Sequence, residues 1–143
     1  MWTCPACNHK FYNKNQSHSC GQYSTEDFLK GKTEKSIELF HCFLDQYKKI
    51  GKFETHPVKT RVALLTLMRF ASINKLGNDF LDGHLVLVEQ YNDPTIFYKI
   101  DNLHNRFFVH HFRIYKQKDI NSTFKKYMKL AYKVGLREHI KKN

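Results

Sequence analysis

Residues 61–73 read RVALLTLMRFASI. Val, Leu, Ile and Phe crowd this run, and such side chains fit a pleated, half-buried surface better than they fit a polar-faced helix. The run predicts one bent strand or two. The same texture extends over residues 53–115, punctuated by turn signals. Lys75-Leu76-Gly77-Asn78-Asp79 is a turn, and Asp82-Gly83 precedes a strand at 84–91. Asn92-Asp93-Pro94 turns again, a short strand follows at 96–100, and the last strand covers 106–115. Strands in succession with short connections predict an antiparallel meander.

Helices are predicted on both sides of this block. Ser24-Thr25-Glu26-Asp27 offers a hydroxyl cap followed by acids, which suits a short helix over 26–30 that stops at Gly31. A second helix begins near Thr33. Ile37, Phe40, Leu44 and Tyr47 recur at helical spacing, Phe43 and Ile50 widen the stripe, and Gly51 is the expected C-cap. From Asn121 a third helix is expected to run to the C-terminus, burying Phe124, Tyr127, Met128 and Ala131. The fold class is therefore α+β: an antiparallel meander sheet packed by N- and C-terminal helices. Residues 1–22, short and polar, read as a separate zinc-binding segment ahead of an α+β domain at 23–143.

That segment carries C-x2-C-x10-H-x-C, formed by Cys4, Cys7, His18 and Cys20. Zinc takes four thiolate or imidazole ligands in a tetrahedron, and a C-x2-C turn brings two sulfurs to one metal. All four positions are filled by protein, so the expected ion is a single structural zinc with no open catalytic position. His9 and Cys42 are the competing ligands. His9 is only two residues beyond Cys7, and Cys42 falls mid-helix, opposite the apolar stripe. Trp2 and Phe11 are expected to cover the site. Three of the four cysteines fall within residues 4–20, a pattern that suits a metal site in a reducing compartment better than a disulfide framework. The chain opens without a basic and apolar leader, and no apolar run approaches the roughly 18–20 residues of a membrane span. The expectation is a cytoplasmic protein without a membrane partner.

Met1-Trp2-Thr3-Cys4-Pro5-x-Cys7, Asn15-Gln16-Ser17-His18-Ser19-Cys20 and Glu26-Asp27-Phe28-Leu29-x-Gly31-Lys32 resemble the bacterial family called Domain of Unknown Function 5655, in its zinc-ribbon-bearing form. The resemblance continues through Lys59-Thr60-Arg61, Arg69-Phe70-Ala71, His84-Leu85-Val86-Leu87, His110-His111-Phe112-Arg113-Ile114 and Ala131-Tyr132. It implies an antiparallel sheet with helices and brings no activity with it. Thr95, after Asp93-Pro94, departs from the arginine that the resemblance implies there, so the resemblance carries no anion site over to that turn.

Lys and Arg outnumber Asp and Glu by 24 to 13, a net charge of +11, and residues 119–143 hold seven of the basic groups against two acids. So large an excess points to a polyanionic partner or to solubility alone. Lys125, Lys129, Lys133, Arg137 and Lys141 recur at i, i+4 as one ridge, with Lys126 and Lys142 beside it. Like charges so spaced cost about 0.2–0.5 kcal/mol per pair in isolated helices, a cost that nucleic acid would relieve. A solvated helix face is the plainer reading. Lys59, Arg61 and Arg69 form a second basic set at the start of the sheet, facing either a phosphate or solvent. His110 shares a face with Phe108, Phe112 and Ile114 and so points to the core. His111 shares the other with Val109, Arg113 and Tyr115. A pocket there would let His110 or His111, with Arg113, bind an anion or move a proton.

No Gly-rich phosphate loop, nucleophile elbow or catalytic carboxylate pair occurs, so the sequence gives no reason to expect an enzyme. Two readings stand: a nucleic-acid-binding or nucleic-acid-associated protein using the last helix, or a small-molecule or anion-binding domain, or enzyme, with a sheet-face pocket. A protein-interaction adaptor is a third. The metal expectation has a direct test. Protein purified without chelator should hold about one zinc per chain by elemental analysis. Cys4→Ala, Cys20→Ala and His18→Ala should each lose it, and His9→Ala should not.

Overall fold

The computed structural model describes residues 2, 3, 5, 10, 11, 24–58 and 60–138. The proposed ligands Cys4, Cys7, His18 and Cys20, the competitor His9, and Lys59 lie outside the described residues. Two short strands, β1 (Trp2–Thr3) and β2 (Lys10–Phe11), pair antiparallel, Trp2 opposite Phe11 and Thr3 opposite Lys10.

Helix α1 (Thr25–Leu29) starts on a reciprocal cap. The Asp27 N–H donates to Ser24 Oγ at 3.1 Å, and the Ser24 N–H donates to Asp27 Oδ2 at 3.0 Å. This satisfies two amide donors that the first turn leaves without partners. Gly31 follows with φ 77°, a left-handed conformation that glycine adopts without steric cost. Helix α2 (Glu34–Ile50) is capped by Thr33 and ended by Gly51. Its buried residues are Ser36, Leu39, Phe40, Phe43 and Tyr47, so the stripe is turned toward Leu39 relative to the expected one, and Ile37 and Leu44 are only half-buried. Cys42 is not on the solvent side as expected. It packs half-buried against the core, where burial pushes its thiol pKa up.

Six strands form one antiparallel sheet: β3 (Glu54–Pro57), β4 (Val62–Leu65), β5 (Arg69–Gly77), β6 (Phe80–Leu87), β7 (Phe97–Leu103) and β8 (Phe107–Ile114). Residues 61–73 thus hold two strands joined by a tight turn. Strand β6 begins before Asp82-Gly83, which sits inside the strand and not in a turn. A Cβ at Gly83 would lie 2.7 Å from the Phe112 ring and 2.5 Å from the Ser72 carbonyl oxygen. Glycine is there because an aromatic ring crosses the strand, not because the chain bends.

The spatial order is β3-β4-β5-β6-β8-β7. The meander runs as far as β6, and then β8 inserts between β6 and β7. Leu87 ends β6 opposite Phe108, and Phe97 opens β7 opposite Phe112. Residues 88–96 therefore carry the chain back along β8 and across it. His110, fully buried, holds this crossover. Its Nδ1–H donates to the Phe108 carbonyl at 2.9 Å, and its Nε2 accepts the Tyr91 N–H at 3.0 Å. Phe97 and Tyr91 pack on the imidazole, and both rings also meet Tyr127. Thr95 donates its N–H to Asp93 Oδ1 at 3.1 Å, an Asx turn that gives Thr95 a local role.

Both long helices lie on one face of the sheet. Phe43 meets Phe112 and Phe124 at ring centroid distances of 5.5 and 6.5 Å, and Phe70 meets Tyr47 and Tyr132 at 5.2 and 5.4 Å. The buried Tyr47 hydroxyl donates to the Met128 carbonyl at 2.9 Å, the partner that a buried phenol needs. Helix α3 (Ser122–Gly135), capped by Asn121, buries Phe124, Tyr127, Met128 and Ala131 as expected, with Val134. It does not run to the C-terminus. Glu138 N–H bonds the Lys133 carbonyl and Arg137 N–H bonds the Val134 carbonyl, the two bonds of a Schellman cap. Arg137 has φ 61° there, so it leaves the helix and the basic ridge. Among the described residues no helix is long and apolar enough to cross a membrane.

Burial lowers the pKa of His110 below 6.5. The stability it contributes is complete above the unfolded value of about 6.5 and is lost as pH falls toward the lowered folded value. His110→Phe keeps the ring and removes the acceptor of the Tyr91 N–H, so urea denaturation at pH 7 should show a loss of about 1–3 kcal/mol. The gap between variant and wild type should narrow at pH 5, because the wild type then pays to keep His110 neutral.

Candidate functional site on the helix-free face of the sheet

Side chains alternate across a strand, so each residue that faces the helices has a neighbour facing away. Following the register from strand to strand gives one transverse row on the face that carries no helix among the described residues. His56 of β3 opposes Ala63, Ala63 opposes Ser72, Ser72 opposes His84, His84 opposes His111, and His111 opposes Lys99. The row crosses all six strands and carries three imidazoles. His56, Ala63 and Ser72 are buried, whereas Lys99 is exposed.

Each imidazole has a defined partner. Arg69 Nη2 donates to His56 Nδ1 at 2.6 Å. Asn74 Nδ2 lies 2.9 Å from His84 Nδ1, so a donating amide leaves the His84 proton on Nε2. His111 Nε2 lies 2.9 Å from Asp101 Oδ2 and donates to it. The rings of His84 and His111 are 5.6 Å apart. Burial, then the nearby His111, then Arg61 push the His84 pKa down to about 4. The hydrogen bond from His111 holds the Asp101 carboxyl below its ordinary value. Arg61, exposed just before β4, is close enough to Arg69 to lower its pKa further, after burial. Two guanidinium groups and three imidazoles thus gather on one face.

Arg113 is on the same face but is already engaged. Its Nε and Nη2 donate to both oxygens of Asp82, each at 2.8 Å, the paired geometry that makes arginine–carboxylate contacts strong. That hydrogen bonding raises its pKa above the usual arginine range. Phe80 lies 4.4 Å from its guanidinium carbon and Tyr98 5.7 Å. It braces β6 against β8 and is not a free anion ligand.

Of the residues expected from sequence, Arg61, Arg69, His111 and Arg113 come together, and His110 is in the core. Lys125, Lys129 and Lys133 are on α3, across the sheet from this face, and Arg137 has left that helix. His56, Asn74, Asp82, His84 and Asp101 were missed as site residues. For Asp82 and His84 the signal was present in the alternation with Leu81, Leu85 and Leu87. His56, in the short stretch Glu54-Thr55-His56-Pro57, gave none. Among the described residues no cluster of three His, Cys, Asp or Glu side chains is arranged to hold a metal ion. A larger groove of about 960 Å³ lies beside the end of α2, lined by Leu44, Phe53, Leu65 and Tyr132. It contains none of the expected residues. No family model, curated protein or solved structure matches the chain.

The depressed His84 pKa is directly measurable. Imidazole NMR titration should find His84 neutral down to about pH 4. The stability tied to its neutral form should hold above about pH 6.5 and fall between there and pH 4. Arg61→Ala removes one nearby positive charge and should raise the His84 midpoint.

Proposed function

We propose that this chain is an anion-binding domain whose site is the helix-free sheet face, with Arg61 and Arg69 as the charged ligands and His84 and His111 beside them. The observation that carries this reading is the gathering on one face of Arg69, whose charge burial and then the nearby Arg61 disfavour, with the hydrogen-bonded imidazoles of His56, His84 and His111. A bound phosphate or carboxylate offsets that repulsion and accepts their hydrogen bonds. The segments that resemble Domain of Unknown Function 5655 contribute Arg61, Arg69, His84, His111 and Arg113 to this one face.

The α3 ridge is the weaker candidate. It is separated from the sheet-face cations by the whole core, and Arg137 does not extend it. Zinc, on this reading, is structural and held by Cys4, Cys7, His18 and Cys20. The pairing of β1 with β2 supports a knuckle, because Cys4 and Cys7 fall in the connection between the two paired strands. The thiols then belong to a reducing, cytoplasmic setting.

Calorimetric titration with pyrophosphate at low salt tests the proposal. Wild type should bind, and Arg61→Ala should bind about tenfold more weakly or worse, the worth of one charged hydrogen bond. The triple variant Lys125→Glu, Lys129→Glu, Lys133→Glu should bind as wild type does. The opposite pattern would assign the anion to α3 and overturn the reading.

A further inference from the structure

We infer that the anion recognised on this face is the backbone of a single-stranded nucleic acid whose bases stack on Tyr98 and Tyr115. The inference rests on the anion-binding reading above and adds the class of ligand. Its basis is a continuous strip of flat π surfaces running into the cationic end of the face. Tyr115 lies 6.2 Å from Phe80, and Phe80 4.4 Å from the Arg113 guanidinium. Arg113 lies 5.7 Å from Tyr98, Tyr98 6.1 Å from His111, and His111 5.6 Å from His84. Beyond His84 stands Arg61.

Exposure singles out the same strip. Tyr98 is 57% and Tyr115 54% exposed, and they are the two aromatic residues among the exposed large hydrophobics of the described chain. Leaving two phenol rings in water forgoes burial that the aromatic core elsewhere uses fully. Here both flank one arginine on one face. Arg113, fixed by Asp82 and sandwiched by Phe80 and Tyr98, holds the Tyr98 ring beside a fixed cation. Aromatic platforms combined with a cationic track suit unstacked bases and their phosphates with little sequence preference. Stacking on an exposed ring needs a base that is splayed out, which an intact duplex does not offer.

The test is fluorescence anisotropy with an oligothymidylate of about 12 nucleotides, an abasic strand of the same length, and a duplex. Pyrophosphate is titrated on the same protein. The thymidylate should bind more tightly than either the abasic strand or the duplex. Tyr98→Ala should weaken thymidylate binding about 5- to 150-fold and leave abasic and pyrophosphate binding unchanged, and Tyr98→Phe should restore it. Equal affinity for thymidylate and abasic strands, tighter binding of the duplex, or no effect of Tyr98→Ala overturns the inference. If pyrophosphate still binds through Arg61 in that case, the anion-binding reading survives alone. If nothing binds, both fail.

Discussion

The hydrogen bond from the Tyr91 amide to His110 Nε2 holds the one non-sequential step in this fold. The four strands of the meander, β3 to β6, need only tight turns, but β8 sits between β6 and β7, and residues 88–96 must travel back across it. Where such a connection packs against the edge of the core, any amide it turns inward needs a partner, since an unmade backbone hydrogen bond out of water is expensive. His110 accepts the crossing amide with one nitrogen and fixes its own tautomer with the other. Once β8 is locked between its neighbours, His84 is opposite His111 and Asp82 opposite Arg113. The row of imidazoles and the braced arginine both follow from that register.

The two faces of the sheet obey different physics. One is closed by α2 and α3 through interleaved aromatic rings, where close contact between rings adds to the burial of apolar area. The other keeps polar groups paired laterally, strand to strand: Arg69 with His56, Asn74 with His84, Asp101 with His111, Asp82 with Arg113. Such a ladder restrains side-chain freedom without covering the surface. Groups held this way are already oriented for a ligand, which lowers the ordering cost of binding.

Much of the architecture was legible because it rests on local rules. Thr33 and Gly51 bound α2 where the caps said they would, and His110 faced the core by simple alternation. What was hidden depended on contacts distant in sequence. Gly83 looked like a turn residue because a sequence does not show the Phe112 ring that crosses it. The i, i+4 lysine pattern ran on past Gly135 because a Schellman cap formed by an arginine carries no glycine signal. Arg113 looked available because its partner Asp82 is 31 residues away in the chain. The anion-site residues were half visible: Arg61, Arg69 and His111 stood out by charge or type, whereas His56 and Asp101 gain meaning only from the strand order.

His110 and His111 are adjacent in the chain and serve opposite sides of the sheet, one buttressing the interior and the other paired to Asp101 on the open face. Their division of labour is a matter of parity. A one-residue insertion or deletion within β8 would exchange them, sending an unpaired imidazole outward and driving Arg113 toward the aromatic interior. Length variation in this strand is therefore closed to evolutionary drift, whereas the hairpin tip at residues 104–106 can lengthen without touching that parity.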